Sequence, residues 1–172
     1  MKKFLVVFIL LVLMSVSAFA DHPSGWGVGV VGQGSFGWGG AGSGGAALSL
    51  KTPKSPIYWG INLGLRKNVF AVNVTGDYLL TDNTINRDFN FGWFLGLGAY
   101  AGIFLYTGSE SGISLSAGAR APIGIYFFPV DFLEIFFDLA PSLGLGLGIG
   151  DRSGIEFPEG GVGADIGVRF WF

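Results

Sequence analysis

The last twelve residues of the chain, Gly161 to Phe172, alternate strictly between apolar side chains and glycine, charged or other residues. A period of two is the signature of a β-strand whose two faces differ. One face would be entirely apolar, and the other would carry Asp165 and Arg169. Transmembrane β-strands need roughly 9 to 11 residues. The segment therefore predicts a strand that crosses a membrane with its apolar face in lipid and that closes a barrel.

Similar alternation recurs upstream and divides the chain into eight predicted strands. Their approximate bounds are 26–38, 42–51, 57–66, 69–80, 89–106, 113–128, 132–150 and 161–172. An even number of strands permits a closed antiparallel ring without an exposed edge. The predicted fold is all-β: an eight-stranded antiparallel transmembrane β-barrel with up-and-down meander topology.

The connections follow from the same pattern. Thr81 to Asp88 is predicted to be a polar connection, and Asp151 to Gly160 is predicted to be a loop. If Lys67-Asn68 forms a two-residue hairpin loop, Asn62 falls opposite Asn73 on one polar face. Pro122 and Pro141 lie inside predicted strands, where a sheet tolerates proline only at bulges or edges.

The N-terminal residues resemble a secretory signal peptide. A basic start precedes the apolar run from Phe4 to Met14, and Ala18-Phe19-Ala20 has the form of a cleavage site. We therefore expect residues 1–20 to be a signal peptide cleaved after Ala20, and residues 21–172 to be the barrel. An uncleaved membrane anchor is the alternative. The formal net charge of −2 gives no electrostatic signature of nucleic-acid binding.

One stretch allows a different fold class. Phe91 to Gly108 contains 18 residues without a charge, which is long enough for a membrane-spanning helix. Its glycines, however, occupy only even-numbered positions, whereas the odd-numbered positions from 91 to 103 hold apolar residues. A strand requires such alternation and a helix does not, so the strand is favoured.

Few charges remain on the predicted inward face of the barrel. They are Asp77, Arg120, Glu134, Asp138, Asp165 and Arg169. An eight-stranded barrel is about wide enough for side chains to fill it, and an unpaired charge there would be costly. We therefore expect an ion-pair plug, with a wetted polar path as the alternative. Inward glycines could also leave a small cavity, lined by glycine and aromatic residues, that accepts a hydrophobic molecule.

Aromatic residues on the outward face cluster at the strand ends expected to lie on the periplasmic side. Aromatic girdles at the membrane interface are typical of transmembrane β-barrels. The predicted girdle comprises Trp26, Trp59, Tyr78, Phe91, Trp93, Phe127 and Phe172.

Catalytic and cofactor motifs are not convincing. Gly27 to Gly32 matches GxGxxG, but it lacks the preceding strand and the following helix that dinucleotide binding requires. His22, the sole histidine of the sequence, is expected in a disordered terminus outside the barrel. We therefore expect no catalysis, no cofactor and no bound metal.

Three segments carry a family resemblance: Arg120 to Pro129, Glu134 to Pro141, and the terminal Val168 to Phe172. Together with the strand pattern, the chain resembles small bacterial outer-membrane barrels, above all the transmembrane domain of OmpA and OmpX-like proteins. The resemblance implies an outer-membrane location, outer-membrane lipid as a partner, and recognition of the C-terminal strand by the barrel-assembly machinery. We expect a monomer.

Three functional hypotheses follow. The first is a non-enzymatic structural or surface-exposed envelope protein whose lumen is closed by an Arg/acid network. The second resembles OmpW, a conduit or binder for small hydrophobic molecules. The third is a secreted soluble barrel that carries a ligand as lipocalins do, but the outward faces of several predicted strands lack any charge, which disfavours it.

Overall fold

The computed structural model describes residues 22–38, 42–66, 68–86, 90–107, 111–151 and 153–172. The predicted signal peptide lies outside the described residues. Nine strand segments are present in the described chain. They are β1 (Gly27–Gly37), β2 (Gly42–Lys51), β3 (Ile57–Arg66), β4 (Val69–Asn86), β5 (Phe91–Tyr106), β6 (Gly112–Arg120), β7 (Ile123–Val130), β8 (Leu133–Gly150) and β9 (Gly154–Trp171).

The strands close into one antiparallel ring. β1 pairs with both β2 and β9, which joins the first strand to the last, and β4 pairs with β5. β6 and β7 are two halves of one barrel strand, because both pair with β5 on one side and with β8 on the other. The ring therefore has eight strands, and the predicted fold is confirmed.

Proline explains the break between β6 and β7. Pro122 has no N–H group to donate, so the strand ladder is interrupted there. Backbone bonds still cross the gap, because Gly96 N–H donates to the Pro122 carbonyl at 2.7 Å and Ala121 N–H donates to the Pro141 carbonyl at 3.0 Å. Pro141 itself lies within β8, opposite Val162.

Two predicted boundaries are wrong. β4 continues to Asn86 instead of ending near Leu80, and β9 begins at Gly154 instead of Gly161. Both extensions contain register shifts, in β4 after Leu79 and in the β8–β9 pairing near Gly144. Polar residues, Pro158 and these bulges obscure the alternation on which the prediction depended.

The two faces of each strand differ as the sequence predicts. In β9, Val162, Ile166 and Phe170 are exposed on the outer surface, whereas Asp165 and Arg169 are buried inside. β5 is a strand throughout, and Asn62 pairs with Asn73 in the predicted register.

Among the residues that the structure describes, no helix combines the length and apolar character needed to cross a membrane.

We call the end of the barrel that holds Trp26 and Phe172 the lower end. Trp26 and Phe172 exchange backbone hydrogen bonds there, at 3.0 and 2.8 Å. The buried side chains that form the apolar core lie mainly in the lower half of the lumen. They are Val31, Ala47, Phe94, Tyr126, Phe128, Phe136 and Trp171.

Candidate functional site

A buried carboxylate organises the lower end of the lumen. Glu134 is 0% exposed and lies on β8 directly opposite Arg169 of β9. Arg169 Nη1 donates to both carboxylate oxygens, at 2.8 and 2.6 Å, and Trp171 Nε1 donates at 2.8 Å. The guanidinium also donates to Ser49 Oγ of β2, at 3.0 and 3.2 Å. This network therefore links three strands across the barrel.

The N-terminal segment completes that network. His22 Nε2 lies 3.1 Å from Glu134 Oε1, and His22 Nδ1 lies 2.6 Å from Asp82 Oδ2. The backbone N–H of His22 also donates to Asp82 Oδ2, at 3.0 Å. We call His22, Asp82, Glu134, Arg169 and Trp171 the lower layer.

The surroundings of His22 favour the imidazolium form. A carboxylate can only accept hydrogen bonds when ionised, so bonds from both ring nitrogens require both to carry protons. Burial lowers the pKa of His22, but its bonds to Asp82 and Glu134, together with their negative charges, raise the pKa above its ordinary value of 6.5. His22 precedes β1 and so lies outside the strands.

Aromatic rings enclose this imidazolium. The closest is Tyr126, whose ring centroid lies 4.2 Å from that of His22. Four more rings lie with centroids 5.8 to 6.3 Å away: Tyr58, Phe94, Phe128 and Trp171. The expectation that His22 lies in a disordered terminus outside the barrel is therefore wrong. Strand periodicity carries no information on a segment before the first strand that folds back into the lumen.

A second charged group lies above the first. Arg120 Nε lies 3.3 Å from Asp77 Oδ1, and Arg120 Nη2 lies 3.4 Å from Asp165 Oδ2 and 3.8 Å from Asp138 Oδ1. We call these four residues the upper layer. Asp138 and Asp165 are direct cross-strand neighbours on β8 and β9.

Gly98 makes the upper layer possible. It lies between Asp77 and Arg120 in the register of β4, β5 and β6. A Cβ atom on Gly98 would collide with the Asp77 carboxylate and with backbone atoms of β4. Only glycine at this position lets the Arg120 side chain reach across β5 to Asp77.

Two spaces remain in the lumen. A small chamber of about 60 Å³ lies between the two layers and is lined by residues of both, including His22, Glu134, Asp138 and Arg120. A larger cavity of about 450 Å³, which we call the upper cavity, extends from the upper layer to the upper strand ends. Its walls contain many glycine and serine residues together with Tyr100 and Phe104. The large inward rings of the lower half thus leave the upper half open.

The structure places the six inward charges in two groups. Glu134 and Arg169 belong to the lower layer, whereas Asp77, Arg120, Asp138 and Asp165 form the upper layer. Sequence reasoning missed His22 and Asp82, which lies in the stretch interpreted as a connection. It also missed the role of Trp171, although Trp171 occupies an inward position next to Arg169 in the alternation.

The aromatic residues of the predicted girdle all lie in the lower half, on the outside. Large fractions of Trp26 (50%) and Phe172 (80%) are exposed. Trp59, Tyr78 and Phe127 are also exposed. Phe91 and Trp93 are partly exposed near the start of β5. Their role at a membrane interface stays a prediction.

Solved structures share this architecture. The crystal structure of Neisserial surface protein A (NspA) matches with a TM-score of 0.57 at 10% sequence identity, over 87% of this chain and 98% of that one. This protein has the fold of a small bacterial outer-membrane β-barrel. The crystal structure of the N-terminal β-barrel domain of Pseudomonas aeruginosa OprF matches this barrel with a TM-score of 0.50 at 14% identity, over 85% of this chain and 97% of that one.

No protein-family model and no curated protein matches this outer-membrane-type barrel with significance. At 10% and 14% identity, the two structural matches show the fold alone. The function must therefore be argued from the lumen and the outer surface of this chain.

Proposed function

We propose that this protein is a non-enzymatic barrel of the bacterial outer membrane whose lumen is closed at its lower, periplasmic end. The observation that carries the closure is Glu134, which is completely buried and bound by Arg169, Trp171 and His22. In this proposal the barrel is a structural, surface-exposed component of the cell envelope.

The outer surface supports a lipid environment. Large apolar side chains are exposed along the outward face of β8 and β9, for example Leu143, Leu145 and Ile166, which are 50%, 56% and 61% exposed. Monomeric soluble proteins rarely expose continuous apolar patches larger than a few hundred Å². In lipid, by contrast, a closed ring satisfies the backbone hydrogen bonds of its strands and exposes apolar side chains favourably.

The two layers support closure. The chain before β1 enters the lower mouth and places His22 between carboxylates of β4 and β8. Breaking a buried ion pair costs about 3–5 kcal/mol, because it leaves an uncompensated charge. An ion that passed through the lumen would have to disrupt both layers in turn, so we expect the resting barrel not to conduct.

The proposed biogenesis is based on the predicted signal peptide and on the C-terminal strand. We propose that the signal peptide is cleaved after Ala20, which would make His22 the second residue of the mature chain. The C-terminal strand β9 would serve as the signal for the barrel-assembly machinery, and the folded monomer would have outer-membrane lipid as its partner.

Planar-bilayer recording tests the closure. We expect the refolded mature protein to give no ion channels, and the triple variant His22→Ala/Arg120→Ala/Glu134→Ala, which removes charged groups from both layers, to give measurable channels. The matched control is Asp131→Asn, which changes an exposed acid in the lower turn between β7 and β8. Steady conductance by the unmodified protein would overturn the closed-lumen proposal.

A second candidate function is the binding of a small molecule. The upper cavity favours it, because about 450 Å³ falls within the range of roughly 300–1,000 Å³ that is typical of ligand sites. A blind cavity above a closed lower half suits a binder better than a conduit.

A further inference from the structure

The upper cavity has more acidic than basic groups, both in its wall and just below its floor. In the upper layer a single guanidinium, Arg120, faces the three carboxylates of Asp77, Asp138 and Asp165. Of these three, Asp165 lines the upper cavity, whereas Asp77 and Asp138 line the small chamber below it. A second carboxylate that lines the upper cavity, that of Glu159, lies higher. Among the described residues that line the upper cavity, Arg120 is the sole cation. The lower layer differs, because there Arg169 and the imidazolium of His22 match Glu134 and Asp82.

Buried hydrogen-bonding atoms in this cavity lack donors. Ser116 is 6% exposed and lines the cavity, yet its hydroxyl has no hydrogen-bond partner among the described residues. The same holds for the side-chain oxygens of Asn62 and Asn73, which also line it. Amide oxygens are acceptors, and a hydroxyl can accept as well as donate. The cavity wall therefore presents acceptors to an occupant.

These atoms lie in one cross-strand row of the barrel wall. Asn62 pairs with Asn73, Asn73 pairs with Gly102, and Gly102 pairs with Ser116, on four neighbouring strands. A Cβ atom on Gly102 would lie 3.1 Å from Ser116 Oγ, so glycine keeps the middle of the row open. A contiguous row of this kind suits a ligand that carries several N–H donors.

Aromatic side chains provide the rest of the wall. The rings of Tyr100 and Phe104 line the cavity beside the polar row. The Tyr100 hydroxyl donates a hydrogen bond to Glu159, which holds that carboxylate toward the lumen. Aromatic faces attract cations as well as apolar groups. The wall thus combines excess negative charge, acceptor oxygens and aromatic surface.

We propose that the upper cavity binds a small organic cation. Its ammonium or amidinium group would lie near Asp165 and Glu159, and its apolar part would lie along Tyr100 and Phe104. The inference deepens the second candidate function, binding, on which it rests, and it replaces the hydrophobic ligand suggested by the sequence with a positively charged one. The cation would neutralise carboxylates that Arg120 alone leaves unmatched.

Isothermal titration of the refolded mature protein in detergent micelles tests this proposal with two matched probes. Benzylammonium carries the charge, and benzyl alcohol has nearly the same size without it. We expect benzylammonium to bind at least about tenfold more tightly, and its affinity to fall as salt is added, because ions screen charge attraction.

Variants locate the site. Asp165→Asn and Glu159→Gln should each weaken benzylammonium binding by about tenfold and leave benzyl alcohol unaffected, whereas Asp131→Asn in the lower turn should change neither. Ala71→Phe, which fills space in the upper cavity, should weaken both probes. Glu159→Gln and Ala71→Phe keep the test decisive if Asp165→Asn does not fold.

Each contrary result has a distinct meaning. Equal affinity for the two probes would overturn the cation specificity and leave a hydrophobic binder. Failure of benzylammonium to bind would overturn the inference outright. Binding that is unchanged by both acid-to-amide variants would exclude the upper cavity as the site. None of these results bears on closure of the lower end, which the conductance experiment tests separately.

Discussion

Replacing Glu134 with glutamine perturbs the lower layer at its centre. Glu134→Gln keeps the size of the side chain and retains an oxygen for the Trp171 N–H group, but it removes the negative charge. Arg169 and the imidazolium of His22 then lose the carboxylate that lies 2.6 to 3.1 Å from them. The variant therefore isolates the contribution of charge pairing from that of packing.

The expected loss is large because the site is completely buried. Breaking one buried ion pair costs about 3–5 kcal/mol. For a domain of roughly 150–250 residues, each kcal/mol lowers the unfolding temperature by about 2–4 °C. We therefore expect Glu134→Gln to unfold about 6–20 °C below the unmodified protein.

Circular dichroism of the refolded protein in detergent, followed during heating, measures this difference. Gel migration of unheated and heated samples gives an independent reading of the same transition. Glu156→Gln is the matched control, because Glu156 is exposed on β9 and the substitution is chemically identical. Unfolding of Glu134→Gln within a degree or so of the unmodified protein would refute the idea that the lower layer stabilises the barrel.

Three further predictions concern the other lumen residues. Arg120→Leu leaves Asp138 and Asp165 without a cation. It should therefore lower the unfolding temperature in detergent by an amount that corresponds to about 3 kcal/mol. An unchanged unfolding temperature would count against an ion-pair plug. Gly98→Val should lower the free energy of unfolding by about 1–3 kcal/mol or more, because the new side chain collides with β4. It should also reduce the refolded fraction seen on gels. Normal refolding would show that the close approach of β4 and β5 at this position is not required. The stability that His22 contributes should be fully present below pH 6.5 and be lost as pH rises through its raised pKa. Unfolding temperatures of the unmodified protein and of His22→Asn, measured from pH 5 to 9, test this. A difference between the two unfolding temperatures that grows toward high pH would contradict it.

Strand periodicity predicted most of the barrel because lipid imposes a simple rule on the outer face. From Val162 to Phe170 every second residue of β9 faces outward, so alternation alone identified this part of the strand and its inward charges. The same rule distinguished β5 from a membrane helix, since glycine on alternate positions has meaning only in a strand. The strand order explains why Arg120 reaches Asp138 and Asp165 on the next strands, whereas Asp77, which lies across β5 from Arg120, does not follow from consecutive strand order.

Alternation does not predict the position of a residue that lies outside the strands or in a part of a strand whose outward residues are polar. Asp82 lies in a part of β4 whose outward neighbours, Thr81 and Asn83, are polar, so no apolar alternation marks it as a strand residue. His22 precedes the first strand and meets its partners 60 and 112 residues further along the chain. Such contacts depend on closure of the whole ring, which local sequence does not encode.

The division of the lumen into a lower half filled by aromatic rings and an upper half that contains the larger cavity could not be predicted from the sequence either. The sequence indicates which glycines and aromatic rings point inward. Their relative heights along the barrel axis, however, depend on the stagger between neighbouring strands. The structure resolves this, because the rings of Tyr126, Phe128 and Trp171 gather below the upper layer and the glycine-rich wall lies above it.

The central claim is that one face of every strand meets lipid and the other meets the lumen. Nitroxide scanning of β6 tests this directly, because the sequence contains no cysteine and residues 113–117 contain no glycine. In lipid vesicles, spin labels at Ile113, Leu115 and Ala117 should collide readily with dissolved oxygen and little with a water-soluble nickel chelate, whereas labels at Ser114 and Ser116 should be protected from oxygen. Loss of this two-residue alternation, or free access of the nickel chelate to the three outward positions, would contradict a lipid-facing barrel.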